Sequence, residues 1–150
     1  MTLLVCRTCP RYDPRRSGEF GRRLTAALES ASHQADTAGA DSTKTGTAET
    51  STAEAGPVEV RTVHCLGGCP RHGVVALDGP GKARVRFSGL SEQDASDVLA
   101  AAHAHEACGS GLPEEWAVPE SLSGRISSVT RKRTAGIPRG SGEIPPQRPR

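Results

Sequence analysis

Apolar residues first gather at Thr2–Cys6, where Leu3, Leu4 and Val5 run unbroken into a cysteine, as in a buried strand that delivers its last residue to a sheet edge. After Cys9 the stretch P-R-Y-D-P-R-R-S-G, with two prolines and a glycine, reads as a loop. Ser17 then suits a helix N-cap with Glu19 in the first turn. Phe20, Leu24, Leu28 and Ala31 follow at helical spacing, with Arg22, Arg23 and Glu29 on the wet side. In Val58–His64, Val58 and Val60 alternate with Glu59 and Arg61 before Val63, which predicts a second strand that again ends at a cysteine. Val74–Asp78 and Ala83–Phe87, joined by G-P-G-K, predict a β-hairpin whose second strand turns Arg84 and Arg86 to solvent. S-E-Q-D at Ser91–Asp94 matches a capping box, and Ala95, Val98, Leu99 and Ala102 form the apolar stripe of a second helix that ends near Cys108, with Gly109 as its stop. Leu112, Trp116, Val118, Leu122 and Ile126 are apolar positions without a regular period.

The resulting order, β-α-β-β-β-α, places the chain in the α/β (α+β) class. Two strands joined through a helix are normally parallel with a right-handed crossover, so their C-terminal ends lie at one end of the sheet. Cysteines far apart in sequence thereby become neighbours in space.

Composition narrows this picture to a small ordered body. Of 150 residues only 3% are aromatic. Residues 32–57 are almost all Ala, Thr, Ser, Gly, Asp and Glu, and such a segment cannot bury enough surface to offset the entropy of ordering. The C-terminal tail is rich in Pro, Gly and Arg and reads the same way. A body with so thin a core commonly needs a staple, either metal or disulfide. The short Leu3–Val5 run is not preceded by a basic residue as in a secretory signal, and no run is long enough to cross a bilayer. The expected compartment is therefore the cytosol, where cysteines serve as reduced ligands or reactive thiols.

Of the five cysteines, Cys6 and Cys9 form C-R-T-C, Cys65 and Cys69 form C-L-G-G-C, and Cys108 stands alone. An iron–sulfur cluster needs thiolates from converging loops, N–H groups turned to sulfur, and close backbone approach. Gly67 and Gly68 permit that approach because they carry no Cβ. Zinc in a tetrahedral four-thiolate site is an alternative that would supply folding energy. A dithiol oxidoreductase is a third reading, since C-x-x-C after a strand is where such a redox pair sits, although Pro10 and Pro14 delay the helix that would lower the thiol pKa.

C-R-T-C after the first strand, then V-x-C-L-G-G-C followed by V-V-A-L and a Gly-Lys turn, resembles a family of uncharacterised bacterial predicted metal-binding proteins grouped with the thioredoxin-like [2Fe–2S] ferredoxins. The resemblance covers Thr2 to Trp116 apart from the linker and implies a thioredoxin-like fold, so the chain divides into such a domain over residues 1–126 with a low-complexity insertion at 32–57 and a disordered basic tail at 127–150, the linker and the tail being departures from the family's compact pattern. It implies a [2Fe–2S] cofactor held by Cys6, Cys9, Cys65 and Cys69, with Gly67 and Gly68 against it. The partner it implies is a redox protein, with a link to cobalamin biosynthesis through neighbouring genes.

Around the motifs, Arg7, Arg11, Arg15, Arg16 and Arg71 would offset an anionic cluster and present a positive rim to an acidic partner. His64 and His72 flank the second motif and could replace a thiolate as histidines do in Rieske centres, but with four cysteines available they read first as supporting or solvated residues, and His103 and His105 would complement the second helix's dipole if charged. Cys108 is open to three readings: a fifth ligand, a reactive thiol or a packed residue. No hydrolase triad, phosphate-binding loop or zinc-protease helix is present, so the expectation is a carrier or binding protein rather than an enzyme. The basic tail lacks the aromatic residues needed to stack on bases, so no specific nucleic-acid partner is expected.

Overall fold

Strand β1 (Thr2–Cys6) is the second strand of a five-stranded sheet and sets its register; the computed structural model describes residues 1–8, 13, 17–38, 58–67 and 69–132. Leu3 and Val5 are fully buried on the face that meets helix α1 (Glu19–Ala38), where Leu24 and Leu28 receive them. Gly21 lets the helix come this close. A Cβ there would lie 2.9 Å from the Cys6 carbonyl oxygen and 2.9 Å from Arg7 Cα. Strand β2 (Glu59–Val63) returns parallel to β1, with Thr2 opposite Glu59 and Cys6 opposite Val63. Strands β3 (Val75–Asp78) and β4 (Arg84–Phe87) form the expected hairpin, whose turn carries Gly81 at φ 70°.

Helix α2 (Ala95–Ala107) follows a 3-10 turn at Glu92–Asp94. The Ser91 N–H donates to Asp94 Oδ2 at 2.8 Å, and Arg125 Nη1 donates to the same oxygen at 2.8 Å. Burial works to raise the Asp94 pKa, but these hydrogen bonds and the Arg125 charge outweigh it and hold the carboxyl below its usual 3.8. A short helix α3 (Glu120–Ser123) buries Leu122 in the core, and strand β5 (Ile126–Thr130) closes the sheet antiparallel to β4. The order across the sheet is β2-β1-β3-β4-β5: a mixed sheet with helices, hence an α+β fold in which the expected β-α-β-β-β-α order is followed by α3 and β5. No helix among the described residues is long and apolar enough to cross a membrane.

Three boundaries differ from the sequence reading. Helix α1 continues to Ala38, seven residues into the segment assigned to the insertion, because Ala and Gln sustain a helix already nucleated by a packed first half. Residues 127–130 belong to β5, not to the tail, because Val129 pairs with Val85 and Ser128 with Arg86. Helix α2 ends on an extended Cys108, and the left-handed position is Gly111 (φ 72°), not Gly109. Residues 39–57 and 133–150, read from the sequence as disordered, lie outside the described residues.

His105 also departs from its expected role. It is fully buried, its Nε2 donates to the Ala83 carbonyl at 2.8 Å, and its ring meets Trp116 edge-on at 5.9 Å. With Nε2 bearing the proton, Nδ1 has no partner among the described residues, so a second proton would place a charge where no acceptor receives it. Burial therefore lowers its pKa below 6.5, although the Ala83 hydrogen bond opposes this; nearby Lys82 lowers it further, while Glu106 and Asp78 oppose. His105 is thus a neutral core residue rather than a charged helix end. The unfolded chain binds a proton that the folded chain refuses, so this contribution to stability is complete above pH of about 6.5 and is lost as pH falls below it. Urea unfolding at pH 7.5 and 5.5 is expected to show a lower midpoint at the acid pH, and a His105→Gln variant, less stable at both, is expected to lose most of the difference.

Candidate metal centre

The parallel pairing of β1 and β2 does not stop where the strands end. The Arg7 N–H donates to the Val63 carbonyl at 2.7 Å and the Thr8 N–H to the His64 carbonyl at 3.3 Å, with Thr8 Oγ1 donating to that same carbonyl at 3.1 Å. On the other side of β1, the Cys6 N–H donates to the Val74 carbonyl at 3.0 Å. The loop that carries C-L-G-G-C therefore leaves the sheet at His64 and re-enters at Val74, straddling the end of β1. Cys65 directly follows the residue bonded to Thr8, and Cys9 directly follows Thr8. Cys6 and the start of the C-L-G-G-C loop thus lie together at the C-terminal end of β1 and β2.

Cys6 is buried at 4% exposure, and its Sγ donates to the Thr8 carbonyl at 3.3 Å. Cys65 is exposed, and its Sγ accepts the Gly67 N–H at 3.3 Å. Cys69 is half-buried, and its Sγ donates to the Gly67 carbonyl at 3.3 Å. One residue, Gly67, therefore serves both thiols of the second motif, its N–H one sulfur and its carbonyl the other. It can do so because Gly67 adopts φ 71°, as its lack of a Cβ allows. Arg86 Nη1 reaches across from β4 and donates to the Gly67 carbonyl at 2.6 Å. Among the described residues no three His, Cys, Asp or Glu side chains are gathered as a metal-binding group. Cys9 and Gly68 lie outside the described residues, as do Arg11, Arg15 and Arg16.

The donor set fits a thiophilic metal in two respects: sulfur donors near one end of the sheet, and a glycine whose N–H and carbonyl are turned toward two of the thiols. Beside Cys6 lies a cavity of about 20 Å³ lined by Arg7, Asp13, Phe20, His72 and Val74. The ring of His72 rests against Phe20 at 5.0 Å, closing this cavity from a larger cleft near the start of α1. Gly73, at φ 75°, brings the loop back. Its carbonyl accepts the Leu90 N–H at 3.1 Å while the His72 carbonyl accepts the Gly89 N–H at 2.8 Å.

Other candidate residues fall elsewhere. Arg7 and Arg71 are exposed near the loop, and His64 is exposed, contributing through its backbone carbonyl. Cys108 sits at the opposite end of the sheet, where Ser110 accepts the Ala83 N–H at 2.7 Å and where Cys108 Sγ accepts the Gly111 N–H at 3.3 Å. It is therefore too far along the strands to be a fifth ligand. Helix α1 begins at Glu19, so neither Cys6 nor Cys9 occupies its first turn as a dithiol oxidoreductase's nucleophile would. Arg86 is the residue that sequence reasoning missed. Strand alternation assigns it to the wet face, and only the loop's position shows what its guanidinium holds.

The model of a family described as a protein of unknown function (DUF1636) matches residues 34–130. The matched span contains C-L-G-G-C and every strand except β1, and it starts beyond C-R-T-C. No curated protein and no solved structure matches the chain.

Proposed function

The chain belongs to the DUF1636 family, whose function is unknown, and from the edge its cysteines share we propose that it is a metal-binding protein, specifically a small [2Fe–2S] ferredoxin-like electron carrier. Cys6, Cys9, Cys65 and Cys69 would be the ligands. The observation that carries this reading is the continued pairing of Arg7 with Val63 and Thr8 with His64, which brings the residues just before Cys9 and Cys65 together. The Gly67 N–H on Cys65 Sγ supports it further, because hydrogen bonds to sulfur stabilise thiolate and tune a cluster's potential. So does the resemblance of C-R-T-C and C-L-G-G-C to proteins grouped with thioredoxin-like ferredoxins. When bound, the cluster would supply one-electron transfer. The protein's own part would be to hold the thiols, exclude water at Cys6, and offer Arg7 and Arg71 to an acidic redox partner.

Protein purified without oxygen is expected to be red-brown, with visible absorption that bleaches on dithionite. A colourless preparation with one zinc per chain would remove the electron-carrier reading and leave a structural or delivery zinc module in its place.

A further inference from the structure

We infer that Arg86 is the counter-charge and positioning residue of the C-L-G-G-C loop, acting on the thiols through Gly67. The inference rests on the metal-binding reading above and assigns a residue outside both cysteine motifs. On the outer face of the sheet, Arg84 and Arg86 occupy equivalent strand positions, opposite Thr130 and Ser128. Their fates differ. Arg84 Nε donates to Asp78 Oδ2 at 3.1 Å in an ordinary ion pair. Arg86 is half-buried, has no carboxylate within ion-pair distance among the described residues, and places Nη1 on the Gly67 carbonyl at 2.6 Å. Its Nε is buried with no acceptor among the described residues. A half-buried guanidinium with an unused donor and no counter-ion is a costly arrangement unless an anion completes it.

A metal centre held by the loop's cysteines would carry that negative charge. Arg86 Nη1 and Cys69 Sγ both donate to the Gly67 carbonyl, so the guanidinium helps to fix Gly67 in its left-handed conformation, with its N–H on Cys65 Sγ, and sets a positive charge beside the loop. A neutral side chain of similar length can accept or donate one hydrogen bond but cannot offset the charge. Lysine retains the charge and loses the planar fork.

The test uses the full, reduced, metal-free chain titrated with Co(II), read by the thiolate-to-cobalt charge-transfer band, alongside thermal unfolding of each metal-free form. Arg86→Gln is expected to bind Co(II) about tenfold more weakly than wild type, the scale of losing a group that supports a ligand. Arg86→Lys is expected to lie between, within about threefold of wild type, and Arg84→Gln to bind as wild type does. The melting temperature of the metal-free Arg86 variants is expected to stay near that of wild type. Arg86→Gln binding as tightly as wild type, or Arg84→Gln losing as much affinity, would overturn the assignment of Arg86 while leaving the metal reading in place. Should Arg86→Gln fail to fold, Arg86→Lys binding worse than tenfold would equally overturn the charge argument. Absence of any thiolate–cobalt band in wild type would sink the metal reading itself, and this inference with it.

Discussion

Replacing Gly73 with alanine is expected to destabilise the protein by about 3 to 4 kcal/mol, a large share of a small domain's total of about 5 to 15 kcal/mol. An alanine Cβ at this position would lie 2.2 Å from the Leu90 carbonyl oxygen and 2.9 Å from the Leu90 nitrogen, both backbone atoms that no rotamer change can move aside. Its φ of 75° adds the left-handed penalty of about 1 to 2 kcal/mol for a residue with a Cβ. Relief requires separating the His72–Gly73 and Gly89–Leu90 segments, which breaks the two hydrogen bonds that join them. Leu90 is itself a core residue, so the displacement propagates into the α2 packing. Urea unfolding monitored by circular dichroism gives the number. A loss below about 1 kcal/mol would mean that the return of the cysteine loop is not fixed at Gly73.

The second large effect is on the metal. Cys65→Ser is expected to weaken metal binding by more than about a hundredfold, beyond what loss of a merely supporting hydrogen bond costs. The same substitution is expected to leave the metal-free protein nearly as stable as before. Cys65 is exposed, and a serine Oγ can accept the Gly67 N–H in place of sulfur. Cys6→Ser lacks this separation, since a hydroxyl at that buried position disturbs the metal-free fold as well. Stability should therefore differ between wild type and Cys65→Ser only in the metal-loaded form, through linkage of binding to folding. Equal stability of the two loaded proteins, with equal metal content, would remove Cys65 from the ligand set.

Much of this architecture is legible in the residues themselves. Leu3 and Val5 on one face, the Phe20–Leu24–Leu28 stripe and the Val85/Arg86 alternation each encode a burial that the sheet and helices then realise. The parallel crossover that joins the two cysteine motifs follows from the βαβ order alone. Strand β5 was hidden because I-S-S-V-T offers only Ile126 and Val129 as apolar positions; its partner β4, not its own pattern, makes it a strand. His105 did carry a signal: it extends the Val98, Ala101, Ala102 stripe at helical spacing, and position on the stripe outweighed its basic character. Gly111 and Arg86 carried none. One is fixed by the approach of His105 and Lys82 to within 3 Å of where its Cβ would be, the other by a loop nineteen residues away in sequence. The Lys82 and Gly67 contacts cross between separate elements, which a local pattern does not encode.

Whether the two cysteine motifs form a single metal centre is read out by iron and acid-labile sulfide analysis of anaerobically purified protein, with an electron paramagnetic resonance spectrum after reduction. About two iron and two sulfide per chain are expected, with a signal from a reduced [2Fe–2S] cluster. Protein with neither iron, sulfide nor zinc, whose four motif thiols all react freely, would contradict a single metal centre.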